Sequence, residues 1–259
     1  MKISKWFKFK PAKEILVVLL SWIMVVSVFY IAFNVITTQR VALHFITFSI
    51  VGITLLGVLV PVAWNTLIMK RPLSDIGIKK DKLILSIILG VVLSVIQYFL
   101  TINSIGVPGM IELLPLITMA LAVGFYENIF YRGWVQLRME ECFGIIPGVI
   151  LSAVIYSLYH IGYGMPLSEL ITLFIIGLVY SSIFRLTSNV FILFPFLTPT
   201  GALFSQIKDG LSIPFEATYG FLDVILLLVA VLVIVKKISK SKKTLAFRKV
   251  RDYFMIAKQ

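Results

Sequence analysis

Long apolar segments recur along this sequence, and they constrain its fold more than any other feature. Eight can be delimited by their length and by breaking residues, each near the roughly 20 residues that a helix needs to cross a membrane. They lie at 14–36, 43–69, 83–101, 112–139, 145–163, 168–185, 190–207 and 218–236. The pattern predicts an all-α fold, a polytopic transmembrane helical bundle of about eight spans, as a single integral membrane domain over 1–259.

Composition excludes most other classes of protein. Hydrophobic residues make up 59% of the 259 residues and charged residues only 14%, whereas a soluble domain has about 45–50% and about 25% respectively. An ordinary soluble globule, a disordered chain and a small disulfide scaffold are therefore excluded. The single cysteine, Cys142, allows no intramolecular disulfide and disfavours a thiol-ligated metal site.

The strong positive charge points to a membrane surface. The formal net charge is +12, and the basic residues lie between and beyond the apolar segments. This placement favours anionic lipid headgroups as partners and argues against nucleic acid. With eight spans and a cytoplasmic N-terminus, every lysine and arginine except Arg40 and Lys208 falls on the cytoplasmic side, if Arg132 is counted there although it lies within the fourth span. We therefore expect a multi-pass protein of the cell membrane with both termini cytoplasmic, and basic interfacial flanks at 1–13 and 237–259.

Two polar residues, Glu127 and His160, lie deep within the predicted spans. Ionisable groups inside a membrane are costly and call for a reason. The fourth and fifth spans form a predicted hairpin that turns near residues 143–144, and each residue lies roughly 25 Å from that turn at 1.5 Å per residue. A carboxylate and an imidazole at one depth can share a proton or a water. Arg132, nearer the cytoplasm, is expected to counter the charge of Glu127 or to position a substrate carboxylate or carbonyl.

Two motifs contain these residues. Residues 127–133 read Glu-Asn-Ile-Phe-Tyr-Arg-Gly, and residues 156–160 read Tyr-Ser-Leu-Tyr-His. The first resembles the Glu-Glu-x-x-x-Arg-Gly motif, and the second the Phe-x-x-x-His motif, of the CPBP family of intramembrane proteases. This family is also called Abi or CAAX-protease-like and is related to the type II CAAX prenyl endopeptidase. Residues 71–78 resemble the short basic stretch before the family's core, so the resemblance covers about 71–207.

The sequence departs from the family pattern in three places. The second glutamate of the first motif is Asn128, and the aromatic residue of the second motif is Tyr156. The third motif, a histidine followed by asparagine on the seventh span, is missing, because no histidine follows His160. Near its expected place, the polar groups available are Thr198, Thr200, Ser205 and Gln206.

The resemblance implies a role for each matching residue. Glu127 would activate water as the general base, His160 would polarise the carbonyl or orient the water, and Arg132 would support Glu127. The Asn128 amide could donate to an oxyanion. Support for substrate or oxyanion is expected from Tyr156, Thr198 and Thr200. We expect no cofactor, because one histidine and one glutamate fall short of the three protein ligands usual for catalytic zinc; a divalent metal ion stays an open alternative.

The leading hypothesis is an intramembrane CAAX-protease-like endopeptidase that cleaves a membrane-embedded or prenylated-type peptide or protein. The alternative is a non-catalytic CPBP-like membrane protein that binds a partner in regulation or bacteriocin self-immunity. In that case the Glu–His–Arg network would only hold helices together. A transporter is a third class, disfavoured because no inverted repeat or pair of broken helices is visible.

Overall fold

The computed structural model describes residues 5–36 and 40–256, with side chains as far as residue 241. Within these residues the regular structure is helical and contains no strand. The eight main helices are α1 (Glu14–Val35), α2 (Val41–Ile68), α3 (Leu83–Leu100), α4 (Met110–Phe143), α5 (Ile145–Tyr163), α6 (Leu167–Thr187), α7 (Leu197–Lys208) and α8 (Ala217–Ile256). The predicted all-α, polytopic fold is confirmed.

Seven helices in the described part of the chain are long and apolar enough to cross a membrane. The expected span at 190–207 is shorter than predicted and forms α7, a helix of 12 residues. Its length is about 18 Å at 1.5 Å per residue, well short of a hydrocarbon core about 30 Å thick. Pro195 has no backbone N–H and interrupts the segment, whereas Pro199 lies in the first turn of α7, where proline is tolerated. The eight main helices of the described residues therefore comprise seven of spanning length and one short helix.

The segment that contains α7 still carries the chain from one end of the bundle to the other. Helix α6 finishes near the end of α4, where Arg185 Nη1 lies 3.1 Å from Glu140 Oε2. Helix α8 begins beside the start of α2, where the rings of Phe45 and Phe221 are 5.4 Å apart. The start of α2 and the last turn of α4 lie at opposite ends of the bundle. Since α8 begins beside the start of α2, its C-terminal part lies at the same end as the last turn of α4.

A group of ion pairs marks that end, which we call the polar end. Arg138 Nη1 lies 2.7 Å from Glu141 Oε2, and Arg71 Nη1 lies 3.2 Å from Glu14 Oε2. Arg138 also donates from Nη2 to the backbone oxygen of Asp75, 2.9 Å away. These contacts join the first residue of α1, the loop after α2 and the last turns of α4.

The described part of the N-terminal flank packs on the turn between α4 and α5 without forming a long helix. The backbone N–H of Lys8 donates to the oxygen of Phe143 at 3.0 Å, and the oxygen of Trp6 accepts from the N–H of Ile146 at 3.2 Å. Gly144 has a φ of +91°, and a Cβ there would lie 2.5 Å from the Trp6 oxygen. Glycine therefore allows the flank to lie against this turn.

The C-terminal flank begins within α8, which continues through residues 237–241 as a helix. The basic and aromatic side chains predicted to lie at the membrane surface from residue 242 onward are outside the described side chains, and residues 257–259 are outside the described chain. Their interfacial position remains a prediction.

Helix α4 occupies the centre of the bundle. It packs against α2, α5, α7 and α8, and 72% of its most apolar stretch is buried, compared with 11% for α3. Large side chains of α3 such as Ile84 and Leu100 are about three-quarters exposed on the outside of the bundle. Polar residues on α4 are therefore surrounded by protein, which is where ionisable groups of membrane proteins are tolerated.

Candidate active site

Glu127 lies on α4 within a cluster of tyrosines. It is buried, and its Oε1 accepts a hydrogen bond from the hydroxyl of Tyr159 on α5. The Tyr159 ring stacks on that of Tyr131, with centroids 4.7 Å apart, and the hydroxyls of Tyr131 and Tyr126 are 3.0 Å apart. The carboxylate is thus held by a hydroxyl that is itself fixed by ring packing.

His160 follows Tyr159 in the 3-10 turn that ends α5. Its ring is buried and lies beside that of Tyr159, at 3.9 Å between centroids. His160 Nδ1 is 3.1 Å from the backbone oxygen of Tyr156. A carbonyl oxygen can only accept, so this contact assigns the proton of the neutral ring to Nδ1 and leaves Nε2 as an acceptor.

The structure brings Glu127 and His160 to the same depth but interposes Tyr159 between them. Tyr159 hydrogen-bonds the carboxylate and packs against the imidazole. No hydrogen bond between Glu127 and His160 occurs among the described residues. A water shared by the two residues would therefore contact the carboxylate oxygen that Tyr159 leaves free and Nε2 of the imidazole.

Arg132 attracts the charge of Glu127 from a distance without forming an ion pair with it. In the described chain the carboxylate has no cation within 4.0 Å. Arg132 Nη1 donates instead to Ser181 Oγ of α6 at 2.7 Å, and its guanidinium lies 4.5 Å from the centroid of the Tyr156 ring, a cation–π geometry. The reason is local: Tyr159 already satisfies the carboxylate, while α5 and α6 offer a ring and a hydroxyl to the arginine.

The three predicted oxyanion donors differ in how their polar atoms are used. Asn128 Nδ2 donates to the Gly124 oxygen at 2.7 Å. Thr200 Oγ1 donates to the Phe196 oxygen at 2.9 Å. Thr198 Oγ1 is buried and has no hydrogen-bond partner in the described part of the chain. Thr198 is therefore the one whose hydroxyl is uncommitted.

Two glycines of α4 allow other segments to approach the motif closely. A Cβ on Gly124 would lie 2.9 Å from Pro199 Cγ, so the start of α7 packs on α4 about one turn before Glu127. Gly133, the glycine of the first motif, faces the backbone oxygen of Ile76 too closely for any side chain. In the Arg-Gly pair, Arg132 is thus a buried cation, and Gly133 allows the 3-10 turn at residues 73–76 to pack closely on α4.

Cavities lie near this site but do not open onto its proposed reactive groups. A cavity of about 360 Å³ at the polar end is lined by Lys10, Arg71 and Arg138 among others. A second, of about 20 Å³, is apolar except for Asn128. Neither of these two cavities is lined by Glu127 or His160.

Sequence reasoning missed two residues that contact the motifs. Tyr159 was visible as one of three closely spaced tyrosines, at 156, 159 and 163, but that spacing is equally typical of helix packing. Ser181 was visible only as a small residue four positions after Gly177, which favours close helix contact. Neither pattern carries a signal for a hydrogen bond to a buried charge.

The residues present do not fit a catalytic metal site. No group of three or more histidine, cysteine, aspartate and glutamate side chains in the described residues could hold a metal ion. Glu127 and His160 supply two donors, fewer than the three protein ligands usual for catalytic zinc. No step of the chemistry below is assigned to a metal.

Comparison with known proteins agrees with the motif assignment. Residues 108–196 match the family described as type II CAAX prenyl endopeptidase Rce1-like, a range that contains both motifs but not Thr198 or Thr200. The comparison with curated proteins found no match. With seven helices of spanning length in the described residues, the chain is a multi-pass membrane protein in which residues 108–196 are similar to the Rce1-like type II CAAX prenyl endopeptidase family.

Proposed function

We propose that this protein is an intramembrane endopeptidase that cleaves a membrane-associated peptide or protein, with water activated by Glu127 and His160. The observation that carries the proposal is the state of Glu127. It is a buried carboxylate on the most buried helix, inside the matched domain, and it lacks an ion-pair partner among the described residues. Keeping such a group within a membrane is costly, and a catalytic role accounts for that cost.

The proposed reaction is a direct hydrolysis. A water donates one hydrogen bond to Glu127 and the other to Nε2 of His160, which turns a lone pair of its oxygen toward the scissile carbonyl carbon. As the new C–O bond forms, Glu127 takes a proton and the carbonyl electron pair moves to the oxygen. The Thr198 hydroxyl is the proposed donor to that oxyanion. The C–N bond then breaks, and the proton passes from Glu127 to the leaving nitrogen.

Tyr159 is proposed as a positioning residue in this scheme. By donating to Oε1, its hydroxyl fixes the orientation of the carboxylate and leaves the other oxygen to contact water. Arg132 acts at one remove, because its guanidinium packs on Tyr156, whose backbone oxygen orients His160.

The proposed substrate lies in the membrane, and its class comes from the family. The Rce1-like match supports a prenylated or otherwise membrane-anchored peptide. The basic flanks are proposed to contact anionic lipid headgroups, with both termini cytoplasmic.

A non-catalytic protein that binds a partner is the second candidate. It is favoured by the sequence, which lacks the second glutamate and the third-motif histidine. In this case Glu127, Arg132 and His160 only hold helices together, and regulation or bacteriocin self-immunity is served by the surface of the bundle.

A cleavage assay on purified protein separates the two candidates. The full chain in lipid nanodiscs is incubated with a panel of prenylated and unprenylated peptides, and products are identified by mass spectrometry. Glu127→Gln keeps the shape of the side chain but removes the base, and Glu141→Gln on the same helix is the matched control. We expect cleavage by the parent and by Glu141→Gln, and none by Glu127→Gln. Cleavage of no peptide, together with full biological effect of Glu127→Gln in cells, would support the partner-binding candidate.

A further inference from the structure

Helix α4 carries a stripe of polar residues that extends from the motif to the polar end. Asn128, Arg132, Gln136 and Glu140 recur every four positions, a spacing that places side chains on one face of a helix. All four are buried, with exposures of 1%, 2%, 0% and 8%. A polar face of this length is costly in a helix that crosses a membrane, and the first motif accounts only for its first half.

The stripe is continuous in hydrogen bonds from Arg132 to the polar end. Gln136 Nε2 donates to the backbone oxygen of Ser181 at 3.1 Å and to Glu140 Oε1 at 3.0 Å. Arg132 Nη1 donates to the hydroxyl of the same serine. Glu140 Oε2 in turn pairs with Arg185, whose side chain is 28% exposed. Arg132 and Glu140 are eight positions apart, or about two helical turns, and the first part of this stretch belongs to the π-helix Asn128–Gln136.

Two atoms on this stripe have unused hydrogen-bonding capacity. Arg132 Nη2 and Gln136 Oε1 are buried and have no partner within the described residues. One is a donor and the other an acceptor, and both side chains are hydrogen-bonded to Ser181. Leaving a buried polar group unpaired costs about 1–3 kcal/mol. A water molecule can accept from the arginine and donate to the glutamine, and buried waters typically satisfy such groups.

We infer that the stripe binds buried water between Arg132 and Gln136 and forms the route by which water passes from the polar end toward the site. The first half of this statement, the bound water, is independent of catalysis. The second half rests on the proposed function, because a hydrolase enclosed by a membrane must receive its water through the protein. A stripe that served only to pack α4 against α6 would hold no water.

Radiolytic hydroxyl-radical footprinting tests the bound water directly, because radicals formed at ordered water oxidise the adjacent side chains whether or not the protein is active. The reporter is the buried Tyr156 ring beneath Arg132. The full chain in nanodiscs is compared with Gln136→Met, which keeps an unbranched side chain but removes the amide. The matched control is Gln97→Met on α3, whose amide is hydrogen-bonded to Tyr180 and to no residue of the stripe.

We expect Tyr156 to be oxidised in the parent and in Gln97→Met, and its oxidation to fall severalfold in Gln136→Met. Ser181→Ala, a smaller change, should give a smaller fall in the same direction and serves if Gln136→Met does not fold. Equal oxidation of Tyr156 in the parent and both stripe variants, or no oxidation in the parent, would overturn the inference.

Cleavage rates on the same samples separate this inference from the proposed function. The rate of Gln136→Met should fall about tenfold, equivalent to about 1.4 kcal/mol in the barrier. A fall in oxidation without any cleavage by the parent supports the bound water and rejects the endopeptidase. Unchanged oxidation in a protein whose cleavage requires Glu127 rejects the bound water and leaves the endopeptidase standing.

Discussion

Helix α4 carries charged residues in two regions, which differ in whether the charges form ion pairs. At the polar end, Arg138 and Glu141 pair with each other and with Glu14 and Arg71. In the middle of the helix, Glu127 and Arg132 have no opposite charge within 4.0 Å among the described residues. The ion pairs of the polar end are explained by their structural role, because they join the start of α1, the loop after α2 and the last turns of α4. The unpaired charges of the middle are not, and this contrast is the main argument for a functional site there.

The imidazole at the centre should have the largest effect on activity. Replacing His160 by alanine removes the Nε2 acceptor proposed to hold the water, so cleavage should fall by about 10²–10⁴-fold, the range of general acid–base groups. His44→Ala is the matched control, because His44 also contacts a backbone oxygen through Nδ1, at 2.8 Å. Initial rates and thermal unfolding of both variants give the comparison. Cleavage by His160→Ala at the rate of the parent would mean that the middle of the bundle does not differ from the polar end in serving catalysis.

At the polar end the largest effect should be on stability. Arg138→Gln leaves Glu14 and Glu141 with a weaker partner, and removing one member of a buried pair costs about 3–5 kcal/mol. The free energy of unfolding in mixed micelles should fall accordingly, with little change in the cleavage rate per folded molecule. Arg40→Gln, an exposed arginine outside this group, is the control. An unfolding free energy equal to that of the parent would mean that the ion pairs do not hold these segments together.

Tyr159 has both a structural and a proposed catalytic side, because its packed ring carries the hydroxyl that hydrogen-bonds the proposed base Glu127. Tyr159→Phe removes a hydrogen bond to a carboxylate, worth about 1.5–3 kcal/mol. Cleavage should slow by about 10–100-fold if that bond orients the base in the transition state. Tyr219→Phe on α8, an exposed tyrosine, should cleave like the parent. A rate unchanged in Tyr159→Phe would show that Glu127 is positioned by other contacts.

The smallest effect is expected for the half-exposed member of the polar-end group. Glu141→Gln keeps an oxygen that can accept from Arg138, and its side chain is 50% exposed. Exposed pairs typically contribute about 0.2–1 kcal/mol, so the unfolding free energy should fall by less than about 1 kcal/mol. The loss should shrink as salt is raised, because salt screens such pairs. A loss as large as that of Arg138→Gln would place this carboxylate among the main supports of the bundle.

The sequence predicted what depends on length and on breaking residues. Seven of the eight apolar segments became helices of spanning length, since about 20 apolar residues have few alternatives in a membrane. Six of them lie within a few residues of their expected bounds, whereas α8 continues to Ile256, well beyond its expected end at 236. The segment at 190–207 was mispredicted because hydropathy does not show where Pro195 ends regular structure. The depth of Glu127 followed from counting residues from the α4–α5 turn.

What the sequence did not provide is the rotation of each helix about its axis. Helices that are apolar on all sides give no periodic signal for the face that meets a neighbour. For this reason the sequence offered Glu127 or a substrate group as the partner of Arg132, and its contacts with Ser181 and Tyr156 were not predicted. The hydrogen bond from Tyr159 to Glu127 could not be predicted for the same reason, because it depends on how α5 is rotated toward α4.

The central claim, that Glu127 is kept for chemistry and not for the fold, is tested most directly by measuring cleavage and unfolding on the same preparation of Glu127→Gln. Glutamine can still accept from Tyr159, so the account predicts an unfolding free energy within about 1 kcal/mol of the parent, the net worth of one hydrogen bond, together with loss of cleavage. A variant that cleaves as fast as the parent, or one that loses as much stability as Arg138→Gln, would contradict it.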